Sequence, residues 1–172
     1  MRSLLCILAA LAVSGPVHGQ QMPVSEMSVD GFIDALSPKA QGLTRGLSLQ
    51  PLEDSAAVPV LSVDLAVGFD FGATRLTAEA QMLLSNLAQA LVSPELAGHR
   101  FQLAGHTDAV GSDAVNDRLS LERARAVRDF LVETYGVAPD RLRVLGYGKR
   151  KLLFPDRPED AANRRVEISL LP

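Results

Sequence analysis

Alternation of apolar and polar residues marks the first strong structural element of this chain. Every odd position from Leu61 to Phe71 is apolar, and the even positions between them are polar or small. A period of two sustained over this length predicts a strand with one buried face. Gly72 is predicted to end it.

A helical period replaces this alternation in two later segments. Apolar residues recur at helical spacing between Thr77, which can cap a helix, and Ser93-Pro94, which stops it. A second helix is predicted over residues 113–135, followed by Gly136 and Pro139. Both helices are amphipathic, so each must bury one side.

Shorter alternating segments predict three more strands, over residues 100–104, 141–147 and 164–170. A charged, proline-bearing loop over residues 148–162 precedes the last one. Since only one face of each strand is apolar, we expect an α+β fold, with the helices packed on one face of a mixed four-stranded sheet. The order is βαβαβ-loop-β.

The N-terminus has the pattern of a secretory signal peptide. Arg2 precedes an apolar run from Leu4 to Val13 that is too short to span a bilayer as a helix. The small residues of Val17-His18-Gly19 suit cleavage after residue 19. A buried N-terminal helix is the alternative. The pattern predicts export to the periplasm, with or without outer-membrane association, and a signal peptide over residues 1–19.

Residues 20–57 contain several prolines and no long periodic pattern. Only residues 30–36 predict a short helix, because Phe32, Ile33 and Leu36 share one side. We interpret residues 20–57 as an N-terminal extension or linker that could contact an envelope protein partner. Residues 58–172 are then the folded domain.

Composition narrows the range of functions. The chain has a formal net charge of −3, which disfavours nucleic-acid binding. Beyond the N-terminus, no apolar run is long enough for a transmembrane helix. Cys6, the only cysteine, lies inside the apolar run rather than at the cleavage site, so we expect neither a lipid anchor on it nor a disulfide.

Arg123 is anomalous on the second helix, because the helical wheel places it inside the apolar stripe. A guanidinium there must pair, reach water or bind a ligand. Asp108 lies at the end of the second strand, just before this helix. The two side chains could grip the carboxylate and ammonium groups of one amino-acid end. An internal salt bridge without a ligand is the alternative, and geometry alone leaves both open.

Five blocks of residues in fixed order resemble the OmpA-like C-terminal domain. The blocks are Phe69-Asp70-Phe71-Gly72; Gly105-His106-Thr107-Asp108; Asn116, Leu119-Ser120, Arg123-Ala124 and Val127; Gly146-Tyr147-Gly148; and Asn163-Arg164-Arg165-Val166-Glu167-Ile168. The resemblance extends over about residues 58–172.

This resemblance implies non-covalent binding of peptidoglycan through the diaminopimelate of its stem peptide, whose free end is a zwitterion. Asp108 and Arg123 match the positions that hold that end. Thr107, Asn116 and Arg164 match neighbouring contact positions. An envelope interaction or scaffold protein that kept the fold without binding cell wall is the alternative.

The chain departs from the family pattern at Gly72, where some members have a second acid, and at Ala73, where many have serine. The loop after Gly148 is also unusually charged. These departures bear on the affinity and the rim of the site.

Enzymatic and metal-dependent functions have weaker support. His99, His106 and Asp108 lie on one strand and its end and do not form a tetrahedral set. Ser120 has no histidine at helical spacing to activate it. We therefore expect no catalysis, no metal and no cofactor, and a hydrolase using His106 and Asp108 is the weakest hypothesis.

Overall fold

The computed structural model of the protein describes residues 23–38, 61–69 and 75–172. The predicted signal peptide, most of the extension, and Gly72 and Ala73 lie outside these residues. The helices and strands are α1 (Val29–Leu36), β1 (Ser62–Leu65), α2 (Ala78–Val92), β2 (Arg100–His106), α3 (Asp113–Tyr135), β3 (Leu142–Gly148) and β4 (Val166–Leu171).

The four strands form one mixed sheet in the order β1-β4-β2-β3. β4 runs antiparallel to both β1 and β2, while β2 and β3 are parallel and are connected through α3. The predicted α+β architecture with a mixed four-stranded sheet is confirmed. Its topology places the C-terminal ends of β2 and β3 beside the start of β4.

The two long helices begin and end where local signals predict. The Thr77 hydroxyl accepts a hydrogen bond from Ala80 N at 3.3 Å at the start of α2, and Ser112 caps α3 in the same way. Gly136 closes α3 in the left-handed conformation, with φ of 69°. No helix in the described ranges combines the length and the apolar character needed to cross a bilayer.

β1 is shorter than the strand predicted over residues 61–71. Leu65 pairs with Val166, the first residue of β4, so β4 offers no partner beyond this point. Ala66 N instead donates to Val24 O at 2.8 Å, and Phe69 forms an isolated bridge with Leu76. Side-chain alternation predicted an extended segment, but the length of the neighbouring strand determines where pairing stops.

Close contact between α3 and the sheet depends on two glycines. A Cβ built on Gly105 would overlap the Ser120 carbonyl oxygen, and one on Gly146 would lie 2.7 Å from Leu121 N and from Ser120 Oγ. Ser120 Oγ lies in this contact and accepts a hydrogen bond from Gly148 N at 2.9 Å. The helix therefore rests directly on the backbones of β2 and β3, which fixes its start relative to the ends of both strands.

The core is one cluster between the sheet and the helices. The predicted short helix forms as α1, beginning one residue earlier, and its Phe32 and Leu36 are fully buried in this cluster. α1 thus packs with the domain, although residues 20–57 as a whole were interpreted as an extension or linker.

Candidate functional site

The loop after β2 is fixed at the edge of the sheet. The pairing of β2 with β3 shifts between Gly105 and His106, which turns the chain out of the regular ladder. Thr107 N then donates to Gly148 O at 3.0 Å, and Ala109 N donates to Pro158 O at 2.8 Å. These backbone contacts give Asp108 a defined position.

Asp108 is largely buried and fully engaged. Its Oδ1 accepts from Val110 N at 3.2 Å. Its Oδ2 lies 2.7 Å from Nη1 of Arg164, and the Asp108 side chain is 12% exposed while that of Arg164 is 46% exposed. The carboxylate is therefore neutralised by an arginine that is itself half in water.

Arg164 reaches Asp108 because the preceding loop folds back. Asn163 is fully buried; its side chain accepts from Phe154 N at 2.9 Å and donates to the carbonyls of Arg157 and Pro158. Arg164 follows at the end of a short 3-10 helix, before β4 begins. The prediction that Arg164 lies within the last strand is therefore wrong: β4 starts at Val166.

Arg123 lies at the margin of the buried side of α3, not at its centre. The buried residues of α3 are Asn116, Ser120, Ala124, Val127 and Leu131, and Leu119, used to define the predicted stripe, is only half-buried. Arg123 is also half-buried. Its Nε is shielded from water and has no hydrogen-bond partner among the described residues, and its guanidinium carbon lies 5.0 Å from the centre of the Phe69 ring.

The electrostatics of Arg123 leave its charge under-compensated. Burial, and then the positive charge of Arg164, lower the pKa of the Arg123 guanidinium below its ordinary value, while Asp108 opposes this shift. An arginine keeps its proton at any physiological pH. The lowered pKa thus reports a cation that is partly buried and lies close to a second cation.

Arg123 and Arg164 line a common cavity of about 280 Å³. The other described residues of its wall are Ala66, Val67, Gly68, Phe69 and Ala161. None of these wall residues carries a negative charge. Asp108 adjoins the cavity through its ion pair with Arg164, so one acid and two arginines meet at this place.

Thr107 and Asn116 occupy buried positions beside Asp108. Asn116 donates to Val110 O at 2.9 Å, which stabilises the loop that carries Asp108. Thr107 Oγ1 is buried without a hydrogen-bond partner. Asn116 is engaged with the loop itself, whereas the Thr107 hydroxyl still has a free hydrogen-bonding capacity.

The internal salt bridge that the sequence left open between Asp108 and Arg123 does not form. Within the described part of the chain, no hydrogen bond or ion pair joins these two side chains, and Arg164 is the partner of Asp108. The reason is the folded-back loop before β4, which brings Arg164 to the carboxylate. Arg123 faces the same cavity from α3.

Sequence reasoning missed Phe69 as part of the site, and it gave Asn163 no role. Phe69 fits the alternating pattern of a strand, so nothing in the pattern distinguishes a cavity wall from a core residue. Lys149 was also missed: its Nζ donates to Gly111 O at 3.0 Å and pairs with Asp113. The charged character of its loop alone did not predict that Lys149 stabilises the loop after Asp108 through these contacts.

The buried side chain of His106 contacts Lys151, Glu167 and Tyr147. Its Nδ1 is 3.1 Å from Lys151 O, so the ring is linked to the loop after β3. Its Nε2 is 3.3 Å from Glu167 Oε2, although the two atoms lack the alignment of a good hydrogen bond. In the described ranges, no group of three or more histidine, cysteine or acidic residues could hold a metal ion.

Glu167→Gln is expected to lower the free energy of unfolding by about 1–2 kcal/mol at pH 7. The contact with His106 holds the pKa of Glu167 below its ordinary value of 4.5, against the effect of burial. A lowered folded-state pKa means that the stabilisation is present above 4.5 and is lost as the pH falls through the folded value. Denaturant melts between pH 3 and pH 7 measure this.

The exposed Glu159 provides the matched control. Glu159→Gln is expected to change the free energy of unfolding little, and equally at each pH. A Glu167→Gln effect that persisted unchanged at pH 3 would contradict the assignment.

A model of the OmpA family matches residues 68–165 of the chain. The chain is 32% identical over 164 residues to the peptidoglycan-associated lipoprotein of Pseudomonas aeruginosa. The aligned region covers 93% of this chain and 94% of that relative. The chain is 38% identical over 117 residues to outer membrane porin F of the same species, covering 67% of this chain. It spans about a third of the length of this porin and of its Pseudomonas fluorescens counterpart.

A solved structure agrees with the fold. The peptidoglycan-associated lipoprotein from Burkholderia pseudomallei superimposes with a TM-score of 0.51 at 28% identity, over 61% of this chain and 86% of that one. The segment matched by the family model contains Asp108, Arg123 and Arg164. Most of the cavity wall therefore lies within the segment matched by the family model, and only Ala66 and Val67 precede it.

Proposed function

Because the chain belongs to the OmpA family, we propose that it is a peptidoglycan-binding protein of the cell envelope. The finer proposal is that it recognises the diaminopimelate of the stem peptide. The free end of that residue is an amino acid with one carboxylate and one ammonium group.

One observation carries this proposal: the buried, unpartnered Nε of Arg123 in the wall of a cavity that also contains Arg164. A carboxylate entering the cavity would supply the hydrogen bonds and the negative charge that Arg123 lacks. Two-pronged pairing of a guanidinium with a carboxylate is strong and geometrically selective.

Asp108 supplies the second half of the proposed recognition. Its carboxylate already holds a cationic group, the guanidinium of Arg164, at 2.7 Å. An ammonium group of the ligand can be held by the same oxygen. A zwitterion thus finds opposite charges at both ends of the site, whereas a simple cation or a simple anion is matched at only one end.

The proposed activity is binding without catalysis. Ser120 donates to Asp117 O at 3.0 Å and accepts from Gly148 N, so its hydrogen-bonding groups are used by the backbone. The name of the relative that covers nearly the whole chain, a peptidoglycan-associated lipoprotein, agrees with a role in holding cell wall. We place the protein in the periplasm or at the outer membrane by the same analogy.

The test is co-sedimentation of the protein with purified sacculi of two kinds. Sacculi with diaminopimelate stem peptides are expected to bind at least about tenfold more tightly than sacculi with lysine in that position, because lysine lacks the carboxylate for Arg123. Equal binding to both would contradict the proposed recognition. No sedimentation with either would favour the scaffold alternative.

A further inference from the structure

The site contains one more cation than a zwitterion requires. Asp108 bears one negative charge, whereas Arg123 and Arg164 each bear a positive one, and no other described residue of the cavity wall is charged. The two arginines do not share the carboxylate of Asp108 equally. Arg164 is paired with the carboxylate of Asp108, whereas Nε of Arg123 has no hydrogen-bond partner among the described residues.

The two arginines also differ in their freedom to move. Arg123 stacks on Phe69 and its Nε is enclosed. Arg164 is 46% exposed, and among the described residues its side chain donates to Asp108. When a ligand ammonium takes over the carboxylate, the half-exposed guanidinium can return to water, so neither charge is left buried and unpaired. Releasing Arg164 from Asp108 is therefore cheap, whereas moving Arg123 would disturb a packed contact.

We propose that Arg164 is an internal substitute for the ammonium group of the ligand. It neutralises Asp108 while the site is empty. When ligand binds, the ammonium group takes the place of Arg164 at Oδ2, and the released guanidinium joins Arg123 on the carboxylate of the ligand. This inference rests on the proposed function and assigns Arg164 a role in specificity.

The consequence is that binding of the ammonium group and binding of the carboxylate of the ligand are coupled. A ligand with only an ammonium group must displace Arg164 and offers it no new partner. A ligand that brings a carboxylate as well provides that partner, so each end assists the other. The binding free energy of a zwitterion is then more favourable than the sum of the free energies that each charged end contributes alone.

Three synthetic tripeptides of sequence L-Ala-D-isoGlu-X separate the two ends. With X as meso-diaminopimelate the far end of the side chain carries both groups, with X as lysine the side-chain carboxylate is missing, and with X as 2-aminopimelate the side-chain ammonium is missing. All three peptides keep the C-terminal carboxylate. Dissociation constants would be measured by calorimetry or by NMR titration for the wild type and for Arg164→Gln.

The substitution is expected to have opposite effects on the two incomplete probes. Arg164→Gln binds the lysine tripeptide at least about threefold more tightly than the wild type, because the competitor for Asp108 is gone. It binds the 2-aminopimelate tripeptide at least about threefold more weakly, because one carboxylate contact is lost. The diaminopimelate tripeptide shows a smaller change, since the two effects partly cancel.

Two further variants fix the interpretation. Arg164→Lys keeps a cation that competes for Asp108, so its affinity for the lysine tripeptide stays at the wild-type level. Arg143→Gln makes the same change of charge at an exposed position on β3, and its binding of all three peptides is expected to match the wild type.

Weaker binding of all three tripeptides by Arg164→Gln, by one common factor, would overturn the inference, because a residue that merely positions Asp108 acts in that way. The proposed function itself would survive such a result. Failure of the wild type to bind the diaminopimelate tripeptide would overturn both.

Discussion

Asp108→Asn and Arg123→Gln are each expected to weaken binding to diaminopimelate sacculi by about thirtyfold or more. Each variant removes one charge that the proposed recognition places against the ligand, while nearly preserving the volume of the side chain. Asparagine at position 108 can still accept the hydrogen bond from Val110 N, so the loop should keep its shape. Co-sedimentation at several protein concentrations measures the loss.

Both variants have matched controls on the same protein. Arg125→Gln alters an exposed arginine two positions along α3, and Asp156→Asn alters an exposed acid in the loop before β4. Both controls are expected to bind like the wild type. If Arg123→Gln sedimented as well as Arg125→Gln, the cavity between Arg123 and Arg164 would not be the binding site.

Gly105→Ala is expected to destabilise the domain by about 3 kcal/mol, near the upper end of the usual cost of overpacking. The new methyl group would overlap the Ser120 carbonyl oxygen, which belongs to the backbone of α3 and cannot rotate away as a side chain could. The helix or β2 must shift, and Asp108 follows three residues later. Chemical denaturation would measure the stability, and binding to diaminopimelate sacculi should weaken as well.

Gly98→Ala is the control for this substitution. A Cβ at Gly98 has no atom within 4 Å, so alanine should change the free energy of unfolding by about 0.5 kcal/mol or less. Comparable destabilisation by both alanines would show that loss of glycine flexibility, rather than the contact with α3, determines the effect.

Local signals in the sequence predicted those elements that local interactions determine. Thr77 and Ser93-Pro94 bracket α2, and Gly136 ends α3, because caps and breakers act within a few residues of the helix end. The family resemblance identified the positions of Asp108 and Arg123. The mixed sheet followed from the one-sided apolar pattern of its strands.

Contacts between distant segments could not be predicted in the same way. The ion pair of Asp108 with Arg164 joins residues 56 positions apart, and it depends on how Asn163 folds the intervening loop. The helical wheel identified Arg123 as anomalous and placed it inside the stripe, whereas it lies at the margin of the buried side. Only the packing of Ser120 against Gly105 and Gly146 shows which side of α3 faces the sheet.

The early end of β1 has a consequence for how the cavity arose. Residues 66–69 leave the ladder where β4 runs out of partners, and these four residues form one wall of the cavity. If strand pairing had continued to Phe71, as side-chain alternation alone would allow, this backbone would belong to the sheet and would not form a wall of the cavity. The cavity thus results from unequal strand lengths, and extending the pairing of β4 with β1 beyond Val166, which would draw Arg165 and Arg164 into the sheet, is expected to abolish it.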